Sequence, residues 1–266
     1  GYFIKIIDNS LIISGKTPLG TNYGIWDFFK RFTGYRDFGH TEIYKIIPNL
    51  EYIKLPEKID IKEEPSLLTW TNAGFHGGNA SFYRSWRTTL LATHNLYNIF
   101  PPEKYAKTHP EYYPMIEGKR FVPPEKMYGT WQPCVSNQEL IPIVIEYAKE
   151  YFLKKPHMIG LPVGVNDGGG DCQCPECLKL KEKYRNQYIP FYNEIARQLK
   201  KDFPDKLVSF IAYGRICSVY PENIKLEPNI YVEIASGLRG NMEKFKKWKE
   251  AGAKNIGLYD YLYGSG

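Results

Sequence analysis

Residues 166–177 read Asn-Asp-Gly-Gly-Gly-Asp-Cys-Gln-Cys-Pro-Glu-Cys, placing an acidic side chain, a glycine run and a C-x-C-x-x-C spacing side by side. Four chemistries use such residues: phosphate cradling, thiol redox exchange, metal binding, and acid catalysis at the rim of a sugar pocket. The phosphate reading fails on spacing. Gly168-Gly-Gly170 matches neither G-x-x-x-x-G-K-[ST] nor G-x-G-x-x-G, and Asp171 would repel a phosphate. A thioredoxin-like motif fits poorly, because its C-x-x-C must open a helix in a much smaller fold.

Metal binding is a stronger reading of the thiols. Cys134 lies at the end of the preceding predicted strand, so a barrel would bring it close to Cys172, Cys174 and Cys177. Four cysteines on neighbouring loops can close a tetrahedral zinc site, structural because no coordination position stays open. They can equally form two disulfides in an exported protein, or remain free thiols. Cys217, the fifth cysteine, is expected to be a buried free thiol.

The elements that must position these groups follow from hydropathy period and punctuation. Residues 1–15 form two short strands around a turn at Asp8-Asn9-Ser10. Ile25, Phe28, Phe29 and Phe32 make the apolar stripe of one short helix, preceded by a loop over 17–24. Pro48, Pro56 and Pro65, interleaved with charges, suggest an exit linker. Residues 1–65 are therefore expected to be a small α/β domain.

From residue 66 to 266, strand-like and helical segments alternate, which argues for a parallel sheet. The strand candidates are 67–71, 129–134, 158–165, 207–213, 230–235 and 255–261, with a short polar-ended segment at 93–96. Helices are expected at 84–92, 139–153 (with Asn137 as a cap and Pro142 in the first turn), 187–202 and 242–251. Residues 101–128 form a long insertion rich in proline and tyrosine. The fold class is α/β. The expected architecture is a small N-terminal α/β domain followed by a (β/α)8 TIM-type barrel, truncated before its last strand.

Barrel active sites lie at the C-terminal ends of the strands. In order, those ends carry Asn72 and His76, His94 and Asn95, Trp131 and Gln132, Asn166 and Asp167, Tyr213 and Arg215, Glu233 and Ser236, Asp260 and Tyr263. Amides and carboxylates bind hydroxyls and aromatic rings stack on sugar faces, so this rim suits a polyhydroxylated substrate. Glycoside hydrolysis generally needs two carboxyl groups across the scissile bond. Asp167, Glu233 and Asp260 are the catalytic candidates; His94, Asn95, Trp131, Gln132, Asn166, Tyr213 and Arg215 are the substrate-binding ones. Each has a plainer alternative. Strand-end acids also serve as hydrogen-bonding scaffold, and His94 and Trp131 could equally be core residues.

Bulk composition narrows the partners. A net charge of +6, with dispersed basic residues such as the run at 244–249, gives no basic stripe for nucleic acid. No run of about 18 apolar residues suggests a transmembrane helix. Hydrophobic content of 43% supports a real core. The 22 tyrosines suit either a tyrosine-rich core or a polar-aromatic cleft.

Five segments together resemble a known family: LIISGKTPLGTNYGIWDFF (11–29), THNLYNIFPPEKY (93–105), HPEYYPMIEGKR (109–120), WQPCVSN (131–137) and NDGGGDCQCPEC (166–177). They are similar to bacterial glycosidase-like proteins of the domain of unknown function 4838 family, related in fold to the α-glucuronidases and β-hexosaminidases. The resemblance implies a small α/β domain ahead of a TIM-type barrel. It also implies carbohydrate hydrolysis as the default activity, without a catalytic cofactor. Export to the periplasm or cell surface and further domains of the same polypeptide are implied as well. The β-hexosaminidases carry an Asp-Glu pair at the end of the fourth strand. This chain departs from them with Asn166-Asp167, which puts a substrate-assisted N-acetyl mechanism in doubt. The leading expectation is a glycoside hydrolase in which Asp167 is the acid or positions it, with Glu233 or Asp260 opposite. A non-catalytic carbohydrate-binding barrel and a structural module of a larger surface protein are the alternatives.

Overall fold

Alternating apolar residues in Tyr2–Ile7 (β1) and Ser10–Gly15 (β2) pair as an antiparallel hairpin. Its turn residues, Asp8 and Asn9, both have positive φ, 45° and 62°, the conformation that matches the twist of a two-residue hairpin. The computed structural model describes residues 1–37, 43, 45–64, 90–214, 219–235 and 241–259. The chain divides into two compact units, Gly1–Thr88 and Thr89–Gly266. The boundary expected at residues 65 and 66 lies outside the described residues, as does the strand expected at 67–71.

In the first unit, helix α1 spans Pro18–Phe32, seven residues longer at its N-terminus than the apolar stripe alone suggests. The reason is local. The Thr17 hydroxyl accepts from Gly20 N at 3.1 Å, and Pro18 fits the first helical position, where no N–H is needed. Gly24 lets the helix approach the sheet, since a Cβ there would stand 2.7 Å from Ile13. The supposed linker contains Asp60–Glu63 (β5), which pairs antiparallel with β1, giving the sheet order β2-β1-β5. Ribbon strands Arg36–Asp37 (β3) and Lys45–Ile46 (β4) pair with each other. Tyr2, Ile4, Tyr23, Phe28 and Ile59 form this unit's core.

The second unit is built on a parallel four-stranded sheet, order β11-β10-β9-β8. Its strands are Gly160–Pro162 (β8), Leu207–Ala212 (β9), Ile230–Ala235 (β10) and Asn255–Tyr259 (β11). The His94↔Gly164 and Gly129↔Asp167 bridges, both parallel, add neighbours beside β8. The segment expected as a strand at 129–134 contributes only that one bridge. The helices are Leu96–Ile99 (α2), Pro102–Tyr105 (α3), Leu140–Lys154 (α4), Pro175–Tyr184 (α5), Tyr188–Asp202 (α6) and Asn241–Glu250 (α7). Among the described residues, none is long and apolar enough to cross a membrane. The 101–128 insertion holds α3, a 3-10 turn at Pro110–Tyr112, and the ribbon of Met115–Ile116 (β6) with Lys119–Arg120 (β7).

Both faces of the parallel sheet are apolar, as such sheets require. Val208, Phe210 and Ala212 of β9 and Ile230, Val232 and Ile234 of β10 join Ile189, Tyr192, Ile195 and Leu199 of α6 in the main core. Residues of opposite parity, Ile211 and Tyr231, cluster instead with Leu90 and Ala92, and Leu207, Ala235 and Tyr259 pack against them. This second face carries Glu233, two residues beyond Tyr231 on the same strand.

Candidate functional site

The end of β8 sets the geometry. Past Pro162, the chain continues through Val163 and Val165, both in the core, to Asn166 and Asp167. Asp167 turns outward, with 68% of its side chain exposed, and its Oδ1 accepts from Gly168 N at 2.9 Å. Its backbone is fixed meanwhile: Thr130 N donates to Asp167 O at 2.6 Å. Gly170, at φ +84°, then passes so close to the neighbouring segment that a Cβ would stand 2.3 Å from Thr130 O. The glycine run is thus a turn pressed against residues 130–131, and at position 170 only glycine tolerates that approach.

Two adjoining clefts meet at Asp167. One, of about 610 Å³, is bounded by the 165–173 loop, Leu178, Lys181, Gln187 and Tyr213. The other, of about 480 Å³, is bounded by His94, Tyr97, Tyr128, Thr130 and Gly168. Tyr97 and Tyr128 meet edge to face at 5.3 Å, and Tyr128 is exposed. They supply the aromatic surface that the tyrosine excess suggested, but neither was singled out from sequence because the insertion carries so many similar residues.

His94 is oriented by its backbone neighbour. Its Nδ1 lies 2.5 Å from Val165 O. A carbonyl only accepts, so Nδ1 carries the proton, and Nε2 faces Asp167 Oδ1 at 3.9 Å. Tyr213 packs edge-on against the His94 ring at 5.6 Å. The structure therefore brings His94, Asp167 and Tyr213 together at one edge of the sheet.

Four other expected ligand-binding residues are scaffold. Trp131 is fully buried, with Nε1 donating to Met127 O at 2.8 Å. Gln132 is also fully buried, accepting from Asn166 N and donating to Asn166 O, each at 2.9 Å. Asn166 accepts from Tyr97 N at 2.7 Å and donates to Trp131 O at 3.0 Å. Asn95 donates to Pro162 O at 2.8 Å. These amides point inward because irregular backbone around them needs partners. They lock the two segments that carry the clefts.

Glu233 sits in the middle of β10 rather than closing it, and is partly buried. Tyr231 Oη donates to its Oε1 at 3.1 Å. Desolvation holds the Glu233 carboxyl above the ordinary carboxylate range, against the smaller lowering from that hydrogen bond. Burial and the neighbouring carboxylate push Tyr231 upward, so it remains a proton donor. Arg215 and Asp260 lie outside the described residues.

Gln187, just before α6, was missed because it closes no strand. It is 2% exposed, borders the larger cleft, and neither amide atom has a hydrogen-bond partner. A buried amide left unpaired costs about 1–3 kcal/mol per group, so Gln187 is a costly point in the wall behind the larger cleft.

Cys134, Cys172, Cys174 and Cys177 lie together, all buried and all free. Their sulfurs are within 4.8 Å of one another, with Cys134 3.6 Å from Cys174 and 3.9 Å from Cys177. Cys134 is held far below the ordinary thiol range by hydrogen bonds from Cys172 and Cys177. The hydrogen bond to Cys134 in turn raises Cys172 to about 11, and hydrogen bonds to Cys134 and Cys172 raise Cys177.

No curated protein and no solved structure matches the chain. A family model described as Domain of unknown function (DUF4838) matches residues 40–264, a span that contains the parallel sheet, both clefts and the cysteine group. The chain thus belongs to the DUF4838 family.

Proposed function

We propose that the protein is a glycoside hydrolase acting on a polysaccharide or glycan, on a (β/α) barrel of which the four-stranded parallel sheet is part. The observation that carries this reading is the exposed Asp167 carboxylate standing where two clefts meet. A chain of sugars laid through both clefts would put a glycosidic bond over it. Tyr128 and Tyr97 offer ring faces on one side, and Tyr213 and the His94 ring edge offer polar partners for hydroxyls. Such a mixture of stacking surface and sparse polar groups is how carbohydrate clefts fix orientation.

In this reading Glu233, which lines neither cleft, supplies the second carboxyl. Desolvation keeps it protonated to higher pH than an ordinary carboxyl, which suits a general acid. Asp167 is then the nucleophile or the base. With Glu233 as acid, activity falls as pH rises through its raised pKa. The test is hydrolysis of a panel of polysaccharides and glycans by the full chain, read as new reducing ends. Asp167→Asn is expected to lower the rate on a responsive glycan by about 10²–10⁴-fold. An unchanged rate overturns the assignment, and binding without any cleavage favours a carbohydrate-binding barrel.

Gln187→Leu tests the cost of the buried amide. Removing a buried, unpaired amide is expected to stabilise the fold by roughly 1–3 kcal/mol in urea unfolding.

A further inference from the structure

We infer that Cys134, Cys172, Cys174 and Cys177 hold one tetrahedral zinc ion that pins the cleft-forming loop after β8 to the segment carrying Cys134. Sulfurs at about 2.3 Å from a tetrahedral zinc stand about 3.8 Å apart, and the two Cys134 separations here are 3.6 and 3.9 Å. With all four sulfurs within 4.8 Å of one another, the space between them fits one ion. These distances are well past the roughly 2.05 Å of a disulfide.

The surroundings suit thiolates. Cys174 occupies the N-cap of α5 and its Sγ accepts from Cys177 N at 3.5 Å, so the helix start faces the sulfurs. Met115 N donates to Cys172 Sγ at 3.3 Å. The Ser136 hydroxyl lies 3.2 Å from Cys177 Sγ and 3.5 Å from both Cys134 and Cys174. These donors offset the negative charge that four thiolates leave around a divalent ion, the role outer groups play at metal sites. All four positions are taken by protein, so the ion is structural. It reinforces a loop also held by Gln132 N donating to Gly170 O at 3.0 Å, Gln173 N donating to Met115 O at 2.7 Å, Tyr188 Oη donating to Asp171 Oδ1 at 2.6 Å and Glu117 N donating to Gln173 Oε1 at 3.0 Å.

The inference does not depend on hydrolysis, and its readout is the metal. The full chain, refolded with zinc alone and desalted, is expected to retain one zinc per chain by elemental analysis. X-ray absorption at the zinc edge is expected to show four sulfur neighbours at about 2.3 Å. Cys134→Ser and Cys177→Ser are each expected to lose most of the bound zinc. A wild-type protein that retains no zinc, a first shell containing nitrogen or oxygen, or two disulfides by thiol counting each overturns the proposal. Because the wild-type measurement decides it, a variant that fails to fold does not.

Discussion

Glu233→Gln is expected to remove most hydrolytic activity while raising thermal stability at neutral and higher pH. The activity loss follows from removing the transferable proton, worth about 10²–10⁴-fold. The gain follows from linkage. Desolvation raises the folded-state pKa of Glu233 above its ordinary 4.5, so between those two values the folded chain binds more protons than the unfolded one. Stability therefore falls as pH rises through that window, and the full cost of a desolvated carboxylate is present above it. Glutamine carries no charge and can still accept from Tyr231 Oη, which now stands 3.1 Å from Oε1. The melting-temperature advantage of the variant should therefore grow with pH and disappear below about 4.5. Thermal scans across pH check this. A variant that loses stability relative to the parent as pH rises would mean that the carboxylate is held by a positive partner. Activity gained at the expense of stability is a frequent mark of a working site.

How far the sequence anticipated these features depends on whether local or long-range pairing decides them. The helix over 187–202 and the strands at 207–213 and 230–235 are periodic, long and bounded by turn residues, and each appears within a residue or so of expectation. β5 was hidden because Asp60–Glu63 is too polar to look like a strand, and its pairing with β1 depends on residues over fifty positions away. α5 was hidden within a stretch whose cysteines and charges give only a weak apolar stripe; its start is fixed by the Cys174 cap. At the site, strand-end placement located Asp167, His94 and Tyr213 at the clefts. It could not tell Asp167, which faces outward, from Asn166, which faces inward, because that choice is made by unpaired backbone groups on residues 97 and 131.

That inward choice makes Asn166→Asp the most disruptive isosteric change expected in the molecule. The Asn166 Nδ2 donates to Trp131 O and its Oδ1 accepts from Tyr97 N, at 1% exposure. A carboxylate there keeps the second bond but turns an oxygen toward the Trp131 carbonyl, placing an uncompensated charge in a buried position. The expected cost at neutral pH is about 3–5 kcal/mol. At roughly 2–4 °C per kcal/mol for a chain of this size, the melting temperature should fall by about 6–20 °C. Protonation restores a donor, so the new carboxyl has a raised folded-state pKa, and the penalty should shrink as pH is lowered. Asn166→Ala, which orphans the same carbonyl and the Tyr97 N–H without adding charge, should cost less and show no such pH dependence. Both variants should weaken glycan binding without touching the ligand. Asn166 fixes Tyr97 in one cleft, and Gln132, which pairs with its backbone, also holds Gly169 O of the other at 3.2 Å. If Asn166→Asp matched the parent in stability at neutral pH, the amide would be facing solvent or ligand instead, and it would return to the list of residues that touch substrate.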